Sequence, residues 1–406
     1  MIKYVMLLVF ISGISNASVT PVWTSNGVSY NIAEQLSGVG LNSKANWGGK
    51  FKNRNESSNR TEDIKKVFND GFKHFTYILA TRYFFDRDCY DDQEFTVACI
   101  DKDLFKSKIE PIKQQMIEVI STDKDAVFVI SLKPLYNKND PPGGIKLTQF
   151  LQALEKTQET RNALYEIWKY IANTMSDVPS DNLVFNLMNE PEWERYKGRN
   201  TWEEPSLEAR KEWEGIATKA VDIIRNISPN RTIIIEGIYK GLFNSNKGDG
   251  YSFGKKKYNS PAQLIIPIDR KNIVYGFHSY SPGKWVHQDS MHMLRGVKGR
   301  ALPSMSRLRS DMQELVTYSN KYNIPVILSE VGVNGSCDGN GPLLEDRAKY
   351  ASAVYETLIP NGVGITWWSL EDANTPYQRP EGRCYEQFYK DLIPEPQVFN
   401  ALRLQQ

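Results

Sequence analysis

The chain has 406 residues, with 50 Lys plus Arg set against 48 Asp plus Glu. That balance argues against a phosphate backbone or an anionic membrane surface as partner, since either needs a concentrated basic face. Aromatic residues are plentiful, with 21 Tyr, 17 Phe and 9 Trp; a core uses such rings, and so does a cleft that stacks them on sugar faces.

Residues 1–17 read as a secretory signal. Lys3 is the positive start, the apolar run from Tyr4 to Ile14 is too short to span a bilayer, and Ser15-Asn16-Ala17 offers a small-residue cleavage site. A secreted or periplasmic protein cleaved after Ala17 is expected. No later stretch is apolar and long enough to be a transmembrane helix.

From residue 18 onward, short apolar runs alternate with longer amphipathic ones. Strands are expected at Gly38–Leu41, Phe72–Leu79, Ala126–Leu132, Leu183–Met188, Arg231–Glu236, Asn272–Tyr280, Ile324–Glu330 and Val363–Leu370. Between them, helices are expected at Thr61–Asn69 with Thr61 as N-cap, at Leu104–Ser121 with Pro111 in its first turns, and at Leu147–Met175. Further helices fall at Leu207–Ile227, Ser304–Tyr322, Leu343–Leu358 and Pro396–Leu404, while Gly237–Pro267 reads as loop. Eight strands joined by crossovers imply a parallel sheet, and eight is the number that closes a (β/α)8 TIM barrel. No linker or repeat divides the chain, so residues 18–406 read as one domain with long loops on the C-terminal face, expected to be a monomer.

Of the four cysteines, Cys89 and Cys99 lie in a polar loop and Cys337 and Cys384 flank the last strand. Four cysteines allow three connectivities. Cys89–Cys99 and Cys337–Cys384 are favoured, because each pair staples a loop in an oxidising compartment. The four histidines show no metal-ligand spacing, and neither a metal nor a cofactor is implied.

The fourth and seventh strands each run into a carboxylate. Leu183–Met188 runs into Asn189-Glu190-Pro191, where Pro191 disfavours helical geometry at Glu190. Ile324–Glu330 ends in Ser329-Glu330-Val331. Strands four and seven face each other across a closed barrel, so both carboxylates reach one mouth, as cleavage of a glycosidic bond requires. Strand-end glutamates also bind Mg²⁺ or cap helices.

Asn189-Glu190-Pro191, Ser329-Glu330-Val331-Gly332, Phe277-His278-Ser279-Tyr280 and Gly364-Ile-Thr-Trp-Trp-Ser369 resemble the strand-end signatures of glycoside hydrolase family 5, over residues 37–372. The resemblance implies a retaining (β/α)8 enzyme acting on a carbohydrate substrate. It makes Glu190 the acid/base, Glu330 the nucleophile, Asn189 a partner of the sugar 2-hydroxyl and Trp368 the platform under the scissile sugar. Tyr280 would donate to Glu330 and His278 would tune the field around Glu190, whose carboxyl is expected to titrate high until Glu330 is neutralised. Strand parity turns Trp367 the other way, into the core. Two positions depart from the family pattern: Thr76 stands where an Arg is usual and Lys133 where a His is usual. Arg82 is a candidate replacement for the Arg, and Lys133 a candidate cation in the same pocket. Trp47, Trp193 and Trp202 follow strands on the catalytic side and could build subsites. A weakened, glycan-binding descendant and a metal-dependent barrel hydrolase stay open as alternatives.

Overall fold

The computed structural model describes residues 22–43, 60–86, 88–89, 95–134, 149–191, 206–238, 260–280, 286, 304–333, 343–370, 376–377 and 392–404. Eight strands form a closed parallel barrel in sequence order. They are β1 (Val39–Ser43), β2 (His74–Ala80), β3 (Val127–Lys133), β4 (Leu183–Asn186), β5 (Thr232–Glu236), β6 (Ile273–Ser279), β7 (Val326–Val331) and β8 (Gly364–Trp367). Each expected strand is present, displaced by a few residues at its ends. The fold is the (β/α)8 barrel.

The amphipathic helices form where their apolar stripes need cover. Arg60–Asn69 begins one residue before Thr61, so Thr61 lies inside the helix and is not its N-cap. Pro111 falls in the middle of Lys102–Thr122, whose first turn is capped by the Asp101 carboxylate. The single helix expected over 147–175 is two, Gln149–Lys156 and Gln158–Thr174. Thr157 intervenes in extended backbone, with its hydroxyl accepting from the Thr160 amide. That local cap competes with helix continuation. A short helix, Pro261–Leu264, lies within the segment read as loop. Among the described residues no helix is long and apolar enough to cross a membrane.

The barrel wall sorts its side chains by parity. Phe75, Tyr77, Phe128, Phe185, Ile233, Phe277 and Leu328 face outward into the layer shared with the helices. Val127, Val129, Val184, Ile234, Val274 and Ile327 point inward near the bottom. Two helices ahead of the first strand seal that end: α1 (Val22–Ser25) and α2 (Tyr30–Leu36), whose Trp23, Ile32, Ala33 and Leu36 join the same inner cluster. Neither is expected from periodicity, because each is too short to show one.

His74 closes the joint. Its Nδ1 lies 3.0 Å from the Gln35 carbonyl and its Nε2 2.9 Å from Thr366 Oγ1. Nδ1 therefore carries the proton and Nε2 accepts from the hydroxyl. Burial pushes the ring's pKa down to about 4, so it is neutral. Glycine is required where α2 meets the barrel: a Cβ on Gly364 would sit 1.7 Å from the Leu36 carbonyl oxygen. Gly364→Ala must therefore push α2 off the barrel floor, and is expected to cost about 3 kcal/mol and several degrees of Tm. An unchanged melting temperature would mean that α2 does not plug the barrel.

The Cys89–Cys99 disulfide is present. Cys337 and Cys384 lie outside the described residues.

Candidate active site

The C-terminal rim of the barrel gathers three glutamates, a histidine and a lysine. Each arrives by a different local route. Lys133 is the last residue of β3 and points inward by parity from Val127 and Val129. Its Nζ donates to Glu190 Oε2 at 2.5 Å. Glu190 lies beyond the end of β4, which stops at Asn186. Its backbone is left-handed, with φ 55°. Glu190 is thus outside the right-handed helical region, which Pro191 disfavours, and the strand has already ended. An L-residue with left-handed backbone is strained by about 1–3 kcal/mol unless its surroundings hold it, and Glu190 is held: its amide donates to Glu236 Oε2 at 2.8 Å.

Glu330 reaches the site through a β-bulge. Ser329 follows Ile327 in inward parity, so strict alternation would send Glu330 into the helical layer. The pairing of β6 with β7 steps from Phe277↔Leu328 to His278↔Glu330, leaving Ser329 as the extra residue. Ser329 and Glu330 thus both point inward, and alternation resumes with Val331 outside. Glu330 is 3 % exposed. Its Oε1 accepts from Asn189 Nδ2 at 2.7 Å and its Oε2 from the Tyr280 hydroxyl at 3.0 Å. Burial pushes its carboxyl above the ordinary carboxylate range; the His278 and Lys133 cations pull the other way, and the charges of Glu190 and Glu236 add to the rise.

His278 stands in the middle. Its Nδ1 is 3.3 Å from Glu190 Oε1 and 3.3 Å from Glu330 Oε2, and its Nε2 is 3.0 Å from Glu236 Oε2. The Nε2 proton does not point along this last contact, which is a charge contact more than a hydrogen bond. Burial disfavours the imidazolium, yet Glu236 and Glu330 outweigh it and raise the pKa to about 10.

The sequence reading missed Glu236, the terminal residue of β5. The signal was available: like Glu330, it is a carboxylate ending an apolar strand, here after Ile233-Ile-Ile. Gly276, its partner on β6, leaves it room, since a Cβ there would lie 2.8 Å from Glu236 Cγ.

One oxygen each of Glu190 and Glu330 and one nitrogen of His278 lie within 4.8 Å of one another, a spacing that suits a divalent ion. The donor set suits it poorly. Lys133 already occupies one Glu190 oxygen, and carboxylates facing both His278 nitrogens favour a protonated ring with no lone pair to give.

Of the other residues singled out, Trp367 packs in the outer layer, while Trp368 is buried but belongs to neither apolar cluster. The Trp368–Ser369 peptide is cis. Asn189 spends its Nδ2 on Glu330, and its Oδ1 has no partner among the described residues. Thr76 is buried on β2. Arg82 lies in a short turn, Thr81–Tyr83, with its side chain outside the described set. Trp47, Trp193 and Trp202 also fall outside it.

The profile of the family described as Cellulase (glycosyl hydrolase family 5) matches residues 30–374. The chain belongs to glycosyl hydrolase family 5. Among curated family relatives, it is 26 % identical over 219 residues to Cellodextrinase A of Ruminococcus flavefaciens, covering 52 % of this chain and 55 % of that one. It is 26 % identical over 256 residues to an Endoglucanase of Paenibacillus polymyxa, covering 58 % and 56 %. The chain thus spans about half the length of the curated relatives it matches. A solved hyperthermophilic endo-β-1,4-glucanase in complex with substrate superposes with a TM-score of 0.63 at 19 % identity, over 92 % of this chain and 99 % of that one. That likeness is one of fold. Within the family 5 barrel, Lys133 and Glu236 are the residues that the motif resemblance does not account for.

Proposed function

We propose that this family 5 protein is an exported retaining β-glycosidase acting on a β-glucan, with Glu190 as acid/base and Glu330 as nucleophile. The carrying observation is the spacing: an oxygen of Glu190 and one of Glu330 lie within 4.8 Å. Retaining pairs sit about 5–5.5 Å apart, whereas inverting pairs need roughly 6.5–9.5 Å to admit a water.

In the first step, Glu330 attacks the anomeric carbon while Glu190 gives its proton to the departing glycosidic oxygen. Closely spaced carboxyls titrate as a pair. A proton on Glu190 removes one of the charges that raise Glu330, so the same proton supplies the leaving group and leaves the nucleophile ionised. The hydrogen bonds from Asn189 and Tyr280 aim the two Glu330 oxygens. In the second step, Glu190 takes a proton from water, the hydroxide attacks the anomeric carbon, and Glu330 leaves as a carboxylate. Trp368, which lies outside both apolar clusters, is the proposed sugar platform, and Asn189 a contact to the 2-hydroxyl.

The β-glucan substrate rests on the family and on what its relatives are named for. Export rests on residues 1–17 and on the Cys89–Cys99 disulfide, which suits an oxidising compartment. The test is a panel of β-1,4-glucan, β-1,3-glucan, xyloglucan and mannan, read by release of reducing ends, with NMR of the first-formed anomer. Release from a β-glucan with the β-anomer appearing first is expected. An α-anomer first would refute retention, and tight glycan binding with no release would make the protein a glycan-binding one.

A further inference from the structure

The Glu236 carboxylate is 0 % exposed and touches side chains or backbone from three other strands. Its Oε1 accepts from Asn186 Nδ2 at 2.7 Å and from Ser329 Oγ at 3.0 Å. Its Oε2 accepts from the Glu190 amide at 2.8 Å and lies 3.0 Å from His278 Nε2. Outside the barrel, the Trp213 indole donates to the Glu236 carbonyl at 3.0 Å. A fully buried carboxylate is costly unless it is paired and hydrogen-bonded. The proposed reaction asks for two carboxylates, and this is a third.

We propose that Glu236 is a positioning residue for the reaction: it fixes the backbone of Glu190 through the amide and serves as the counter-charge of His278 beneath the two reacting carboxylates. This rests on the roles proposed above for Glu190 and Glu330.

Two arguments carry it. The first is conformational. Glu190 is the reacting group with a left-handed backbone, and the Glu236 carboxylate is the acceptor its amide meets. Without that acceptor the backbone is free to relax, and the acid moves off the glycosidic oxygen.

The second is a charge count. The charged and titratable groups facing His278 among the described residues are Glu190 beyond β4, Glu236 on β5 and Glu330 on β7. Lys133 on β3 and Tyr280 beyond β6 face the same two carboxylates, Lys133 at Glu190 and Tyr280 at Glu330. A neutral imidazole has one N–H, so one of its nitrogens would turn a lone pair toward a carboxylate; the imidazolium sets positive charge against the carboxylates on both sides. With Lys133 and His278 cationic and Glu236 and Glu330 anionic, the cluster is neutral when Glu190 holds a proton. After glycosylation Glu330 is an ester and Glu190 is ionised, and the cluster is again neutral. Among the described residues, Glu236 is the charge that makes both states of these five groups balance. Remove it, and two cations face two carboxylates: either both carboxylates ionise and the acid is lost, or His278 gives up its proton. Burial pushes Glu236 up, but His278, the Glu190 amide and Asn186 more than offset this and hold it below the ordinary carboxylate range.

The experiment uses the full chain, with ¹⁵N-labelled histidine; only four histidines are present, and a His278→Asn sample assigns the signal. In the parent, both His278 nitrogens should carry protons at pH 8. A neutral His278 there would overturn the proposal whether or not any variant folds. Glu236→Gln should lower kcat about 100-fold with KM changed less than about threefold, as expected for a displaced reacting group. In addition, either His278 becomes neutral below pH 8 or the alkaline arm of kcat/KM moves down by about one pH unit. Ser329→Ala, which deletes one hydrogen bond to Glu236, should show a smaller kcat loss in the same direction. An active parent with neither spectroscopic nor pH change in Glu236→Gln refutes this inference alone. A parent inactive on every glycan refutes the function proposed above and leaves the ¹⁵N result to stand or fall separately.

Discussion

Glu330→Ala is expected to lose on the order of 10⁵-fold in kcat, as removal of a covalent nucleophile does, with the fold intact. The side chain is buried, yet its removal leaves the Asn189 amide and the Tyr280 hydroxyl as donors facing a small polar space beneath the sugar. Azide fits such a space and is nucleophilic. With an activated aryl glycoside it should restore turnover and give a glycosyl azide of inverted configuration, because it attacks from the face that Glu330 vacated. Activity within tenfold of the parent would remove the nucleophile assignment. A retained azide product would assign Glu330 the other role.

Glu190→Ala should behave in the complementary way. General acid catalysis contributes about 10²–10⁴-fold, and a substrate with a good leaving group does not need it. Hydrolysis of glucan should therefore fall by roughly 10³-fold or more, whereas formation of the glycosyl-enzyme from a dinitrophenyl glycoside should slow by less than about tenfold. Azide should again accelerate turnover, but here by attacking the intermediate on Glu330, so the product keeps its configuration. Loss of Glu190 also leaves Lys133 without its 2.5 Å partner. Glu190→Gln, which keeps an acceptor for that ammonium, separates the proton-transfer effect from the loss of the Lys133 contact. Equal rate losses on every substrate would show that Glu190 is not the acid.

The barrel was legible because eight apolar runs, each followed by an amphipathic helix, admit few other arrangements. Glu190, Asn189 and Tyr280 were legible because short motifs tie them to strand ends, and the expected Tyr280 to Glu330 hydrogen bond is in place. Other features turn on facts that a linear pattern does not hold. Parity alone would place Glu330 outside the barrel; only the bulge at Ser329 turns it inward. Pro191 disfavours right-handed helical geometry at Glu190 but does not say which other backbone it adopts; the left-handed one comes with an amide bond to the Glu236 carboxylate. Glu236 ended a strand as visibly as Glu330 did, but only the fold brings it against β4, β6 and β7 at one point. Lys133 was read as a cation near the site, and the structure gives it a partner, Glu190. The helices at 22–25 and 30–36 are invisible to periodicity because their apolar residues answer to the barrel floor, not to a repeating stripe.

That floor also bears on how the chain folds. The Trp23 indole donates to the carbonyl of Gly362 at 2.7 Å, and the Leu36 carbonyl nests against Gly364. The two helices ahead of β1 thus find their resting place only against β8. Contacts across so long a loop form slowly. Closing the barrel floor thus joins segments 339 residues apart in the chain.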